Sequence, residues 1–98
     1  FSPFMLKAAM VKPNKRIQIP AVTHVDGTCR YQSVSRSTNP KYWQLIESFR
    51  KRTGIPMILN TSFNDKNEPI VCSPDDAIKT FLTRPIDYLV MNYNVIKK

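Results

Sequence analysis

Glycine is nearly missing: the 98 residues hold only Gly27 and Gly54. That excludes a phosphate loop of the Walker type, which needs several glycines in a short run. Histidine occurs once, as His24, and the two cysteines, Cys29 and Cys72, lie far apart without CxxC spacing. So few donors make no zinc-ligand pattern, and a metal ligated by this chain is not expected. No nucleophile triad can be assembled either, and reduced thiols in a cytoplasmic protein are the economical reading. No apolar run approaches the roughly 18 residues of a membrane span, and no signal-peptide pattern is present, so no membrane partner is expected. Acids are scarce, with 7 Asp and Glu against 15 Lys and Arg, and the net charge is +8.

What is present fits a small folded unit. Hydrophobic residues make up 42% and ten are aromatic, enough to anchor packing but only for a modest core. The sequence opens at Phe1 without an initiator Met and runs at once into Phe4-Met5-Leu6. It reads as a piece of something longer, so residues 1–98 are expected to be a single fragment within one domain. The charge excess points to anionic partners: nucleic acid, phosphates or a nucleotide. It is not one block. Lys12, Lys15 and Arg16 cluster early, and Arg50, Lys51 and Arg52 either complement a helix C-terminus or form a binding surface. Aromatics at core spacing, not interleaved with basic residues, disfavour the rival reading of a basic RNA-binding module without catalysis.

Phe4 to Val11 is predicted to be a buried strand, and Ile17 to Val25 to alternate weakly along a second one. The Asp26-Gly27 pair carries turn chemistry, and period-2 alternation resumes around Tyr31 to Ser35, so strand, turn and strand read as a hairpin. Asn39, Pro40 and Gly54 mark a helix over Pro40–Thr53 with Tyr42, Leu45, Ile46 and Phe49 on its apolar face. Ile55 to Leu59 is a short apolar run that suggests a strand buried on both faces. Ser73 and Pro74 open a second helix that Pro85 ends, with Ala77, Ile78, Phe81 and Leu82 as its buried face. Strands over Asp87–Met91 and Tyr93–Ile96 follow. The fold class is α/β, with α+β open: a mixed twisted sheet with two helices. Exposed sheet edges leave self-association, a homodimer included, as an alternative.

Chemistry has two candidate seats. Asn60, Thr61, Ser62 and Asn64 follow the apolar run, where ligands gather in α/β sheets. Their hydroxyls and amides either form a donor surface for phosphate or carboxylate oxygens, or bond their own backbone as a polar turn. In the second seat, His24, Asp26, Thr28 and Arg30 would share an alternating face if Asp26-Gly27 forms the hairpin tip. Arg30 offers a planar fork for a phosphate, and Asp26 would hold that fork or help bind Mg²⁺; an ordinary Asp26–Arg30 ion pair is the alternative. His24 with Asp26 has the look of a metal pair, yet a hydrogen-bonded structural histidine explains it as well.

Larger segments are more specific. His24-Val25-Asp26-Gly27-Thr28-Cys29-Arg30-Tyr31-Gln32-Ser33-Val34 resembles the "VxHVDGTxRxQxV" segment of nodulation-type and antibiotic-tailoring O-carbamoyltransferases. Thr53 to Asn64 is similar to their "TGxPxxLNTSFN" segment. Glu68-Pro69-Ile70-Val71 and Ser73-Pro74-Asp75-Asp76-Ala77 resemble the "GEPIVxxPxDA" that follows, and Ser2-Pro3-Phe4-Met5 fits the opening. The motifs run in the right order over nearly the whole chain.

That resemblance implies the C-terminal part of a YrdC-like domain, which turns carbamoyl phosphate and ATP into carbamoyl-adenylate and pyrophosphate. An N-terminal actin-like domain, outside this chain, would carry the family's metal and receive the hydroxyl acceptor, whose identity the sequence does not reveal. ATP with Mg²⁺ is the implied cofactor. The loop Asn60 to Asn64 is similar to the "SANxSG" nucleotide-binding loop of YrdC proteins, so Ser62 and Asn64 inherit a nucleotide or carbamoyl-phosphate contact. Arg30 inherits a phosphate contact and the catalytic assignment, with His24, Asp26 and Thr28 lining the site. Two departures stand out. Asn67 occupies a position where the family commonly has glycine, and Asn tolerates the left-handed conformation better than most residues. The upstream Lys and Arg residues of the YrdC-like site are absent, so the fragment alone is expected to lack turnover.

Overall fold

Proline and glycine set most element boundaries in the computed structural model, which describes residues 2–98. The chain divides into two compact units, Phe1–Leu59 and Asn60–Lys98. The mixed helix-and-strand class holds, with two helices among the described residues, but the one mixed sheet expected is corrected to two separate antiparallel sheets of two strands each.

In the first unit, β1 (Lys7–Met10) pairs antiparallel with β2 (Thr28–Tyr31), in a register of Lys7 opposite Tyr31 and Met10 opposite Thr28. The Val11 N–H extends the ladder to the Gly27 carbonyl at 2.9 Å. The expected hairpin between Ile17–Val25 and Tyr31–Ser35 is therefore corrected: the strand after the Asp-Gly turn pairs with the first segment of the chain. Pro13 and Pro20 explain why. Each fixes φ and lacks a donor, and each opens a short 3₁₀ turn, Pro13–Lys15 and Pro20–Val22, where a ladder would need extended backbone. Nor is β1 buried as expected. All four of its residues are exposed, since a two-stranded ribbon has no second layer within this unit; Val11, just past its end, is buried. Ser2 and Ser33 tie the segment off through Ser33 N–H to Ser2 O (2.7 Å) and Ser2 N–H to Ser33 Oγ (3.0 Å).

Helix α1 (Pro40–Thr53) has the predicted bounds. Pro40 supplies a preset φ at its first position, and Gly54 closes it at φ 79° with its N–H on the Arg50 carbonyl at 2.7 Å. Asn39 stands at the N-cap without a side-chain capping bond. Arg50 grips Glu47 through Nε (3.0 Å) and Nη2 (2.5 Å), so one member of the basic trio is spent on its own helix. The apolar face of α1 is less covered than expected, with Leu45 58% and Phe49 39% exposed. Ile55 to Leu59 forms no strand: Pro56 interrupts its donors, and Met57 and Leu59 are exposed.

The second unit holds the better core. Helix α2 (Pro74–Thr83) is capped by the Ser73 hydroxyl, which accepts from Asp76 N–H at 3.1 Å, with Asp75 and Asp76 in the first turn. Its inner face, Ala77 and Phe81, packs with Leu89 of β3 (Tyr88–Met91), and Phe63, Val71, Ile86, Met91 and Ile96 close around them. Of the predicted inner face, Ile78 and Leu82 are exposed, because a ten-residue helix on a two-stranded sheet buries only a narrow stripe. β4 (Asn94–Lys97) returns antiparallel along β3, Tyr88 opposite Lys97.

Candidate functional site

The turn from His24 to Thr28 is built by its own hydrogen bonds. Gly27 N–H donates to His24 O (2.9 Å) and His24 N–H to Thr28 O (2.7 Å). Asp26 Oδ1 accepts from both the Thr28 N–H (3.0 Å) and its hydroxyl (2.7 Å). Those donors, the hydroxyl first, hold the Asp26 carboxyl below its ordinary value of 3.8, so it stays ionised at neutral pH. Gly27 adopts φ 84°, a conformation that costs a side-chain-bearing residue about 1–2 kcal/mol.

Two arginines bear on this turn and its strand. Arg30, exposed on β2, donates through Nε (3.4 Å) and Nη2 (3.1 Å) to the carbonyl of Met5, itself at φ 57°. Asp26 thus neither holds the Arg30 fork nor pairs with it: the carboxylate binds Thr28 and the guanidinium binds backbone. The shared alternating face is corrected too. Thr28 and Arg30 lie two apart on β2, whereas His24 and Asp26 belong to the turn, where strand alternation does not apply. The second arginine was not foreseen. Arg16 donates Nε to Val11 O (3.2 Å), and its guanidinium rests on the bare Cα of Gly27.

In the second unit, Asn60, Thr61 and Ser62 are exposed, and the loop they begin is pinned by Val71 N–H to Phe63 O at 2.8 Å. Asn64 is only half-exposed and donates Nδ2 to Asp65 O (3.1 Å) and Glu68 O (3.3 Å). For that amide the polar-turn reading holds. Asp65 pairs with Arg84 at 3.3 Å, and Glu68 N–H closes the turn on Asp65 O at 3.1 Å. Asn67 takes the left-handed conformation, φ 66°, as its place in a glycine position requires. The strand expected before this loop is absent, so the strand-end argument for a ligand site has no strand beneath it.

The same unit contains a groove of about 310 Å³ lined by Glu68, Pro69, Ile70, Val71, Cys72, Asp76, Lys79 and Thr80. Sequence reasoning named none of these as site residues, although Glu68 to Val71 and Ser73 to Ala77 are two of its quoted motifs; the helix brings Asp76 and Lys79 beside the first. Among the described residues, no three His, Cys, Asp or Glu side chains gather as a metal site would need, and no helix is long and apolar enough to cross a membrane.

Comparison with known proteins decides the family. The family model described as "Carbamoyltransferase C-terminus" matches residues 1–98. The chain belongs to the carbamoyltransferase C-terminus family. It is 55% identical over 96 residues to nodulation protein NolNO of Sinorhizobium fredii, covering 98% of this chain and 14% of that protein. It is 52% identical over 96 residues to nodulation protein NolO of Bradyrhizobium diazoefficiens, covering 98% of this chain and 18% of that protein. An uncharacterized protein of Methanocaldococcus jannaschii, MJ1051, is 42% identical over the full 98 residues, 19% of its own length. The chain thus spans less than a fifth of each of these relatives. Both the His24–Val34 and Asn60–Asn64 motifs fall within the matched residues of this carbamoyltransferase segment.

Proposed function

We propose that this chain is the C-terminal segment of an ATP-dependent O-carbamoyltransferase and contributes to the site that forms and binds carbamoyl-adenylate. The family match over residues 1–98 carries the reading. The chemistry asks for fixed cationic forks and hydrogen-bond donors where phosphate charge collects. In balance, water opens carbamoyl phosphate to carbamate and phosphate. The carbamate oxygen then attacks the α-phosphorus of ATP, pyrophosphate leaves, and an acceptor hydroxyl later takes the carbamoyl group with release of AMP.

Within this scheme Arg30 binds a phosphate and is the catalytic residue of the segment. Its exposed guanidinium exchanges the Met5 carbonyl for a phosphate oxygen, a stronger partner for a charged donor. His24, Asp26 and Thr28 line the same phosphate site. Asn60, Thr61 and Ser62 contact the nucleotide or carbamoyl phosphate from their own loop, and Asn64 serves by holding that loop in shape. Mg²⁺ bound with the phosphates would neutralise their charge, and the ionised, exposed Asp26 fits as a carboxylate toward it. The upstream actin-like domain, the family's metal there and the hydroxyl acceptor complete the scheme.

Arg30→Ala in the full-length protein tests it. Exchange of labelled pyrophosphate into ATP, dependent on carbamoyl phosphate, should fall by most of its rate. Undiminished exchange would remove the assignment.

A further inference from the structure

Arg16 holds a charge that nothing on its unit answers. From Phe1 to Ile46 the sequence carries seven Lys and Arg against one acid, Asp26, and that carboxylate is engaged by Thr28. Among the described residues the ion pairs are Arg50 with Glu47 and Arg84 with Asp65, so no carboxylate reaches Arg16. Yet its guanidinium is not loose. The side chain is half-buried, Nε is committed to the Val11 carbonyl, and the planar head lies against Gly27. A Cβ built on Gly27 would stand 2.5 Å from Cζ and Nη2 and 2.9 Å from Nη1, closer than atoms tolerate. The turn is thus bare where the fork rests on it. With Nε anchored, the Nη donors form a preset edge for a second ligand, the arrangement in which Arg loses least freedom on binding an oxyanion.

Three of the five backbone donors of the His24–Thr28 turn are already engaged. The N–H groups of His24, Gly27 and Thr28 all donate inside the turn, so no backbone nest is left among them for a phosphate. An anion arriving beside Gly27 finds those three donors taken and the Nη donors of Arg16 at hand.

We propose that Arg16 is a phosphate-binding residue of the His24–Thr28 turn, taking a phosphoryl group of either ATP or carbamoyl phosphate in addition to the group bound by Arg30. The inference rests on the carbamoyl-adenylate reading for its natural ligand, though not for the anion site itself.

The test uses Arg16→Ala and Arg16→Lys in the full-length protein, with calorimetric titration of inorganic pyrophosphate beside the exchange assay. Arg16→Ala should weaken pyrophosphate binding by about 10- to 100-fold, the range that charged hydrogen bonds carry. Arg16→Lys, which keeps the charge and loses the fork, should recover part of it. A KM raised for ATP alone, or for carbamoyl phosphate alone, identifies which phosphate Arg16 holds. Should Arg16→Ala fail to fold, Arg16→Lys still decides through its weaker pyrophosphate binding. Pyrophosphate affinity and both KM values unchanged in a folded variant would overturn the proposal, as would a wild-type protein that binds no pyrophosphate. A wild type that binds pyrophosphate through Arg16 but catalyses no exchange would sink the adenylate chemistry and leave the anion site standing.

Discussion

Replacing Phe81 by alanine should unfold the second unit, while the same change at its neighbour Leu82 should barely be felt. Phe81 is wholly buried and is the centre of a core whose other buried members are Ala77 and Leu89; Leu82 is 64% exposed. Truncating a buried Phe costs about 3–5 kcal/mol, through lost transfer energy and the cavity left behind. At about 0.05–0.15 kcal/mol per residue, Asn60–Lys98 has only about 2–6 kcal/mol to lose, so one substitution consumes most of it. Leu82→Ala lies on the solvent side and should stay within about 0.5 kcal/mol. Hydrogen exchange at the α2 amides, with urea unfolding followed by circular dichroism, reads both. Phe81→Ala should bring those amides close to unprotected exchange. Equal losses at the two positions, or a cost below about 1 kcal/mol at Phe81, would refute this account of the core.

Acid should loosen the His24–Thr28 turn through Asp26. Its folded pKa lies below the ordinary 3.8, so its contribution is complete above pH 3.8 and is lost as pH falls through the folded value; the Thr28 amide shift in an NMR titration should follow that, and Thr28→Val should move the midpoint up toward 3.8. Ser73→Ala removes the acceptor for Asp76 N–H and should destabilise α2 by about 1 kcal/mol, with Ser73→Asp restoring it; thermal unfolding with no difference between serine and alanine would show that the cap contributes nothing.

Both helices were legible because their signals are local. Pro40 and Gly54 bound α1, and Ser73 with Pro74 opens α2, each by a backbone rule that operates within a few residues. The left-handed Asn67 was legible for the same reason. Strand pairing was not. Period-2 spacing in Ile17 to Val25 is a statement about side chains, whereas Pro13 and Pro20 act on donors and φ, and the backbone constraint prevails. That β2 would instead pair with Lys7–Met10 depends on closing an intervening excursion, which periodicity does not encode.

The same distinction governs the candidate site. Residue type correctly marked Asp26, Thr28 and Arg30 as polar groups on one short segment, but hydrogen-bond partners follow from chain path. Asp26 reaches two residues on to Thr28, and Arg30 reaches back to Met5. Arg16 shows the limit most directly: eleven positions from Gly27, in the early basic cluster with Lys12 and Lys15, it has no motif around it, and only the Pro13–Lys15 turn and the bond to Val11 lay its head on the glycine. Gly27 then has two separate reasons to lack a side chain, its φ of 84° and the guanidinium above it. Relieving either one alone would still leave the other, so Arg16→Ala should not make Gly27→Ala harmless: the conformational cost of about 1–2 kcal/mol would persist.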